Sequence, residues 1–199
     1  MRNVRGPGSR TRTWTAAAAA AAALTTTLAT GTAQADAGGL PSAPGSTVAA
    51  FEGGTLDMAG DWGAAKACLV WRAAGTVECF RTLGELRAVE AKLAGRAAGT
   101  GARPASGALA ACSSPLELFE HGWFGGRRLV FYDRGYWQNL GGWGFNDQMS
   151  SYKVGACYAH LAEHNDGVGY WYPGNTAPWA QEGALRSGWN DRVSSIKLD

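Results

Sequence analysis

The sequence predicts an all-β C-terminal domain of two Greek keys, preceded by a small hairpin-plus-helix unit. Three observations carry this. A six-residue stretch occurs twice: Asn146-Asp147-Gln148-Met149-Ser150-Ser151 returns as Asn190-Asp191-Arg192-Val193-Ser194-Ser195, 44 positions later. The repeat is wider than these stretches, because Leu118-Phe119-Glu120-His121 matches Leu161-Ala162-Glu163-His164, and Gly126 matches Gly169, each 43 positions apart. From Cys112 onward, short strand-like runs alternate with Gly and Asn/Asp turns, the pattern of a sandwich or barrel. A period of about 44 residues with four strands per unit gives two Greek keys.

The start of the chain is excluded from the fold. Arg2, Arg5, Arg10 and Arg12 form a positive region, Trp14 to Thr32 is rich in Ala, Leu and Thr, and Ala33-Gln34-Ala35 fits a small-x-small cleavage site. Residues 1–35 read as a secretory signal, with a mature chain from near Asp36, so an extracellular protein is expected. That removes four of 18 basic residues and none of 16 acidic ones, leaving 14 − 16 = −2. The positive charge of the whole chain therefore argues for no nucleic-acid partner. No later stretch has about 18 uninterrupted apolar residues, so no membrane span is expected, and the protein is expected to be a monomer.

Residues 36–50 (DAGGLPSAPGSTVAA) read as a flexible leader. Residues 51–96 form the small unit. Lys66 to Trp71 and Thr76 to Phe80 are two strands around Arg72-Ala73-Ala74-Gly75. With the turn centred on Ala73-Ala74, residues whose numbers sum to 147 pair, and Cys68 faces Cys79 across the hairpin. Thr82-x-x-Glu85 is a capping box, Leu86, Val89 and Leu93 share one helical face, and Gly95 ends the run. A unit of this size cannot bury a large core alone, so it either packs on the C-terminal domain or is marginal. Residues 97–111 read as a linker and boundary.

The C-terminal domain covers residues 112–199. Its strand-like runs are Leu116–Glu120, Arg127–Tyr132, Ser151–Val154, Tyr158–Ala162, Gly169–Tyr172 and Ser194–Leu198. Four cysteines in an exported chain favour two disulfides over a metal cluster. Sequence alone allows three connectivities, and spacing favours Cys68–Cys79 with Cys112–Cys157.

The paired Asn-Asp-x-x-Ser-Ser stretches hold carboxylates, amides and hydroxyls at fixed offsets, an oxygen-rich set of the kind that hard cations such as Ca²⁺ prefer. One copy alone would read as ordinary turn chemistry. Duplication favours the metal reading. His160-Leu161-Ala162-Glu163-His164 spells a zinc-peptidase pattern, but that chemistry needs a helix, and here the segment aligns with a strand and hairpin start. No Ser/His/Asp spacing, phosphate loop or close carboxylate pair stands out, so no enzyme is expected.

These residues resemble the βγ-crystallin family, and more narrowly its small secreted bacterial members. Phe119-x-x-x-x-Phe124-x-Gly126 is similar to the family's aromatic-x4-aromatic-x-Gly hairpin signature, and both Asn-Asp-x-x-Ser-Ser stretches are similar to its calcium motif. The resemblance covers residues 112–199 and implies two calcium ions, each shared between the halves. Transferred to this chain, it implies hydroxyls from Ser150 and Ser194, and backbone carbonyls from Gln148 and Arg192. It also implies side chains from the partner motif, Asp147 and Asp191, and hairpin carbonyls from Glu120 and Glu163. One fixed carboxylate with neutral oxygens implies micromolar to millimolar binding. Ala162 and Gly167 replace the two aromatics in the second repeat, which implies a differently folded hairpin there and a less secure Glu163. Cys112 and Cys157, each ahead of a repeat, would tie the two Greek keys together and stabilise by about 2–4 kcal/mol. The chain is also similar to small secreted bacterial metalloproteinase inhibitors of this fold, which implies a secreted metalloproteinase as an alternative partner. A carbohydrate-binding role for the tryptophans is a third reading.

Overall fold

The computed structural model describes residues 47–100 and 110–199; the signal, the leader up to residue 46 and the linker over 101–109 lie outside them. Strands β1 (Val48–Phe51) and β2 (Gly54–Asp57) form an antiparallel hairpin. Its turn residues Glu52 and Gly53 have φ of 49° and 78°, the paired left-handed geometry that matches the twist of a two-residue hairpin. Residues 48–50 are thus strand and not leader, because Val48-Ala49-Ala50-Phe51 has β2 on one side and β4 on the other.

β3 (Ala67–Trp71) and β4 (Thr76–Phe80) pair in the expected register, with Cys68 opposite Cys79 and the two joined at a Cα separation of 4.0 Å. The capping box forms reciprocally: Thr82 N donates to Glu85 Oε2 (3.0 Å) and Glu85 N donates to Thr82 Oγ1 (3.3 Å). It opens α1 (Leu83–Thr100). The helix does not end at Gly95 as expected, and so runs into the stretch assigned to the linker. Gly95 lacks the left-handed φ of a helix-ending glycine, and the Arg96-Ala97-Ala98 that follows is a run of strong helix formers.

The C-terminal strands are β5 (Ala110–His121), β6 (Gly125–Arg134), β7 (Gln138–Asn139), β8 (Ser151–Lys153), β9 (Ala159–Ala162), β10 (Gln181–Glu182) and β11 (Ser195–Leu198). They interlock. The large sheet runs β10-β8-β5-β6-β3-β4-β1-β2, and the small one β7-β11-β9. Each repeat therefore lends one short strand to the sheet of the other: β7 crosses from the first, β10 from the second. The expected strand over Gly169–Tyr172 is reduced to one bridge, Trp171 to Ala162. Neither repeat can bury its inner face without the other. Between the sheets lie Leu116, Leu118, Leu129, Phe131 and Tyr152 from one side and Leu161, Ile196 and Leu198 from the other. Cys112 and Cys157 are bonded and join β5 to the segment before β9.

The hairpin-plus-helix unit is built into this domain. β3 lies parallel to β6, with Ala67 opposite Arg128 and Val70 opposite Phe131, so one sheet spans both regions. One face of it carries α1: Leu86, backed by Val89 and Leu93, covers Ala67, Leu69, Phe80, Val130 and Tyr132. The other face joins the sandwich core, where Met58, Trp62 and Ala65 are buried. Trp62 Nε1 donates to the Met58 and Trp143 carbonyls (3.2 and 3.1 Å), and a side chain at Gly144 would collide with the Met58 carbonyl.

Candidate metal centre at the paired corners

Each Asn-Asp-x-x-Ser-Ser stretch is a corner that enters a strand, β8 or β11. The second residue takes the left-handed conformation in both, φ 52° at Asp147 and 53° at Asp191. Aspartate tolerates this because its short side chain bonds locally. Asn146 Nδ2 donates to Asp147 Oδ2 (2.7 Å), and Asn190 Nδ2 to Asp191 Oδ2 (2.6 Å). The corners also hold each other: Asp147 N donates to Val193 O (3.1 Å) and Asp191 N to Met149 O (3.2 Å). This exchange places each aspartate beside the serine of the opposite motif.

The hairpin loops complete the arrangement. Ser150 N donates to Phe119 O and its hydroxyl to Glu120 O (2.8 Å), while Ser194 N donates to Ala162 O. The Ser194 hydroxyl donates to Asp147 Oδ1 at 3.1 Å. So the Ser150 hydroxyl meets the Glu120 carbonyl, and the Ser194 hydroxyl meets the Asp147 carboxylate of the opposite motif. Asp191 is less engaged: its carboxylate rests on Asn190, and Ser150 is turned to Glu120.

The second hairpin keeps the conformation of the first, contrary to expectation. Trp123 and Phe124 have φ of 56° and 66°, and their equivalents Asp166 and Gly167 have 57° and 76°. Glycine stands at 167 because Trp137 fills the space a side chain would need there. Volume lost from the hairpin is thus returned by the neighbouring repeat. Gly126 and Gly169 are constrained alike, since a Cβ would lie 2.8 Å from Glu120 Cβ in one case and 2.7 Å from Glu163 Cγ in the other.

The final serine of each motif has a different task. Ser151 donates to His121 O (2.6 Å) and accepts from Phe124 N (3.1 Å); Ser195 donates to His164 O (2.6 Å) and accepts from Gly167 N (3.1 Å). These fully buried hydroxyls staple the hairpins over the corners. Ser151→Ala or Ser195→Ala orphans two backbone groups and is expected to cost about 1–3 kcal/mol by chemical denaturation.

Two guanidinium groups border the corners, and the ligand patterns gave no sign of them. Arg127 binds the Glu120 carboxylate through N and Nε (both 3.0 Å), with Gly144 O and Gln148 Oε1 at 3.4 and 3.5 Å. Arg192 reaches Glu163 Oε2 at 2.7 Å. Partial burial pushes the Glu120 carboxyl up, but the bonds and charge of Arg127 outweigh it and hold the group below the usual range. Arg127 in turn lies over the Trp62 ring, 4.9 Å from its centroid, so the N-terminal unit braces the first corner. Among the described residues, no three His, Cys, Asp or Glu side chains converge as a metal-holding group. A cation here would take mainly hydroxyl and carbonyl oxygens. His160 and Glu163 of the zinc-peptidase-like pattern sit on a strand and its end, and bond Asp199 and Arg192 respectively.

No protein-family model and no curated protein matches the chain. Solved structures do. A βγ-crystallin from Ciona intestinalis is similar over 43% of this chain and 100% of its own, at 25% identity and a TM-score of 0.37. A βγ-crystallin domain from Flavobacterium johnsoniae is similar over 42% of this chain and 92% of its own (23%, 0.34), and one from Clostridium beijerinckii over 43% and 97% (20%, 0.36). Among the described residues, no helix is long and apolar enough to cross a membrane.

Proposed function

We propose that this chain is a secreted, non-enzymatic protein of βγ-crystallin type whose fold is stabilised by two calcium ions held at the paired corners. One ion would take Ser150, the carbonyls of Gln148 and Glu120, and Asp191. The other would take Ser194, the carbonyls of Arg192 and Glu163, and Asp147. The observation that carries this reading is the contact between Ser194 Oγ and Asp147 Oδ1, 3.1 Å apart from opposite repeats. These two oxygens are 47 positions apart in the chain, and the fold brings them together.

Calcium supplies charge here and no chemistry. Each site offers one carboxylate and neutral oxygens, and a guanidinium stands nearby on Glu120 or Glu163. That balance favours weak binding, in the range of extracellular calcium modules. Such affinity still matters outside cells, where free calcium is high.

The test is thermal. An ion that binds only the folded state at about 100 times its Kd adds about 2.7 kcal/mol. For a domain of this size, each kcal/mol raises Tm by about 2–4 °C, so a shift of roughly 5–10 °C per site is expected between EDTA and saturating calcium. An identical Tm in both overturns the reading.

A further inference from the structure

We propose that the outward face of the small sheet is a binding site for neutral saccharides, built on the rings of Trp171 and Trp137 with His160, Asp199 and Lys197 beside them. It shares no residue with the paired corners and does not depend on calcium.

Trp171 is exposed but fixed, and Trp137 is half-buried beside it. Trp171 is 51% exposed, yet its Nε1 donates to Gly167 O at 2.8 Å. The indole N–H is therefore committed to the protein's own backbone, which fixes the orientation of a half-exposed ring. Trp137 meets Trp171 edge-on, with centroids 5.4 Å apart and planes at 62°, and is itself seated against Gly167. The His160 ring lies 4.9 Å from Trp171. Two tryptophan rings at a steep angle make a corner, which suits the apolar C–H face of a pyranose. Such anchors contribute much contact area with few rotors to immobilise.

The polar groups select the ligand class. In β9, Leu161 faces the core, so His160 projects from the opposite face, where it is paired in register with Lys197 of β11. His160 Nε2 lies 2.9 Å from Asp199 Oδ2, and Lys197 Nζ lies 2.8 Å from Asp199 Oδ1. Lys197 and Asp199 form an ion pair, so these two side chains add hydrogen-bonding atoms without adding net charge. A phosphate or a polycation would find no complementary charge. Hydroxyl groups, which both donate and accept, match this mixture. The lone lysine of the group is committed to Asp199, which disfavours an anionic lipid surface.

The probes are cellohexaose, chitohexaose, maltohexaose and mannohexaose, each titrated into the full secreted chain while the tryptophan indole N–H signals are followed by NMR. At least one is expected to bind and to shift the Trp171 and Trp137 signals. Trp171→Ala should weaken that binding about tenfold or more, as loss of a central aromatic anchor does. Trp171→Phe should retain most of it. Trp123→Ala, on the first hairpin and 83% exposed, should leave it unchanged. If Trp171→Ala does not fold, His160→Ala carries the same expectation. Silence with all four sugars overturns the proposal. So does equal binding by the Trp171 and His160 variants, or concentration-dependent dimerisation lost in Trp171→Ala, which would mean that a second copy covers the face.

Discussion

Trp62→Ala is expected to destabilise the whole domain by about 3–5 kcal/mol, the cost of emptying a buried aromatic site. Trp62 is 1% exposed, tilts against Phe145 at 5.7 Å, carries Arg127 over its face and satisfies two carbonyls through Nε1. Removing it opens a cavity and orphans the Met58 and Trp143 carbonyls together. The loss should appear in a single cooperative transition, since β3 and β6 share a sheet. Trp62→Phe keeps an aromatic ring while losing the N–H and part of the indole volume, so it should cost less than Trp62→Ala, about 1–3 kcal/mol. Urea denaturation measures both. A change below 1 kcal/mol for Trp62→Ala, or a separate early transition, would mean that the N-terminal unit folds apart from the sandwich.

The second large effect is expected at Asp133. This buried carboxylate accepts from Arg72 N (2.7 Å) and Ala73 N (2.9 Å), fastening the β3–β4 turn to the end of β6. Asp133→Ala leaves both donors orphaned, at about 1–3 kcal/mol each. Burial pushes the Asp133 carboxyl above its ordinary value, against the opposing pull of those two bonds. Ionisation is then easier in the unfolded chain than in the folded one. Stability from this group is therefore greatest at acid pH and falls as pH rises from the ordinary carboxylate value through the raised one. Asp133→Asn should abolish that part of the pH dependence while costing stability at neutral pH, because its amide would face one of the two donors. A pH series of denaturation curves for wild type and Asp133→Asn reads both effects.

Local chemistry was legible in the sequence wherever a residue's partner is near in the chain. The Cys68–Cys79 register follows from one turn, and the Thr82–Glu85 cap from one spacing. The duplicated corners were legible because repetition is visible without structure. Long-range replacement was not. Gly167 looked like a defect in the second hairpin, and only the fold puts Trp137 in the missing volume. Strands β7 and β10 have two residues each, too few for a period of two to register. The parallel pairing of β3 with β6 left a trace: Cys68-Leu69-Val70 is apolar at consecutive positions, as a strand covered on both faces must be. Arg127 escaped notice, and Arg192 was read only for its carbonyl, because their guanidinium groups bind the side chains of residues read only for their carbonyls.

Calcium at the paired corners is tested most directly by calorimetric titration of the purified chain with calcium, alone and as Asp147→Ala with Asp191→Ala. Two ions per chain are expected to bind the parent, and none the double variant. Absence of calcium binding to the parent, or binding undiminished in the folded double variant, contradicts it.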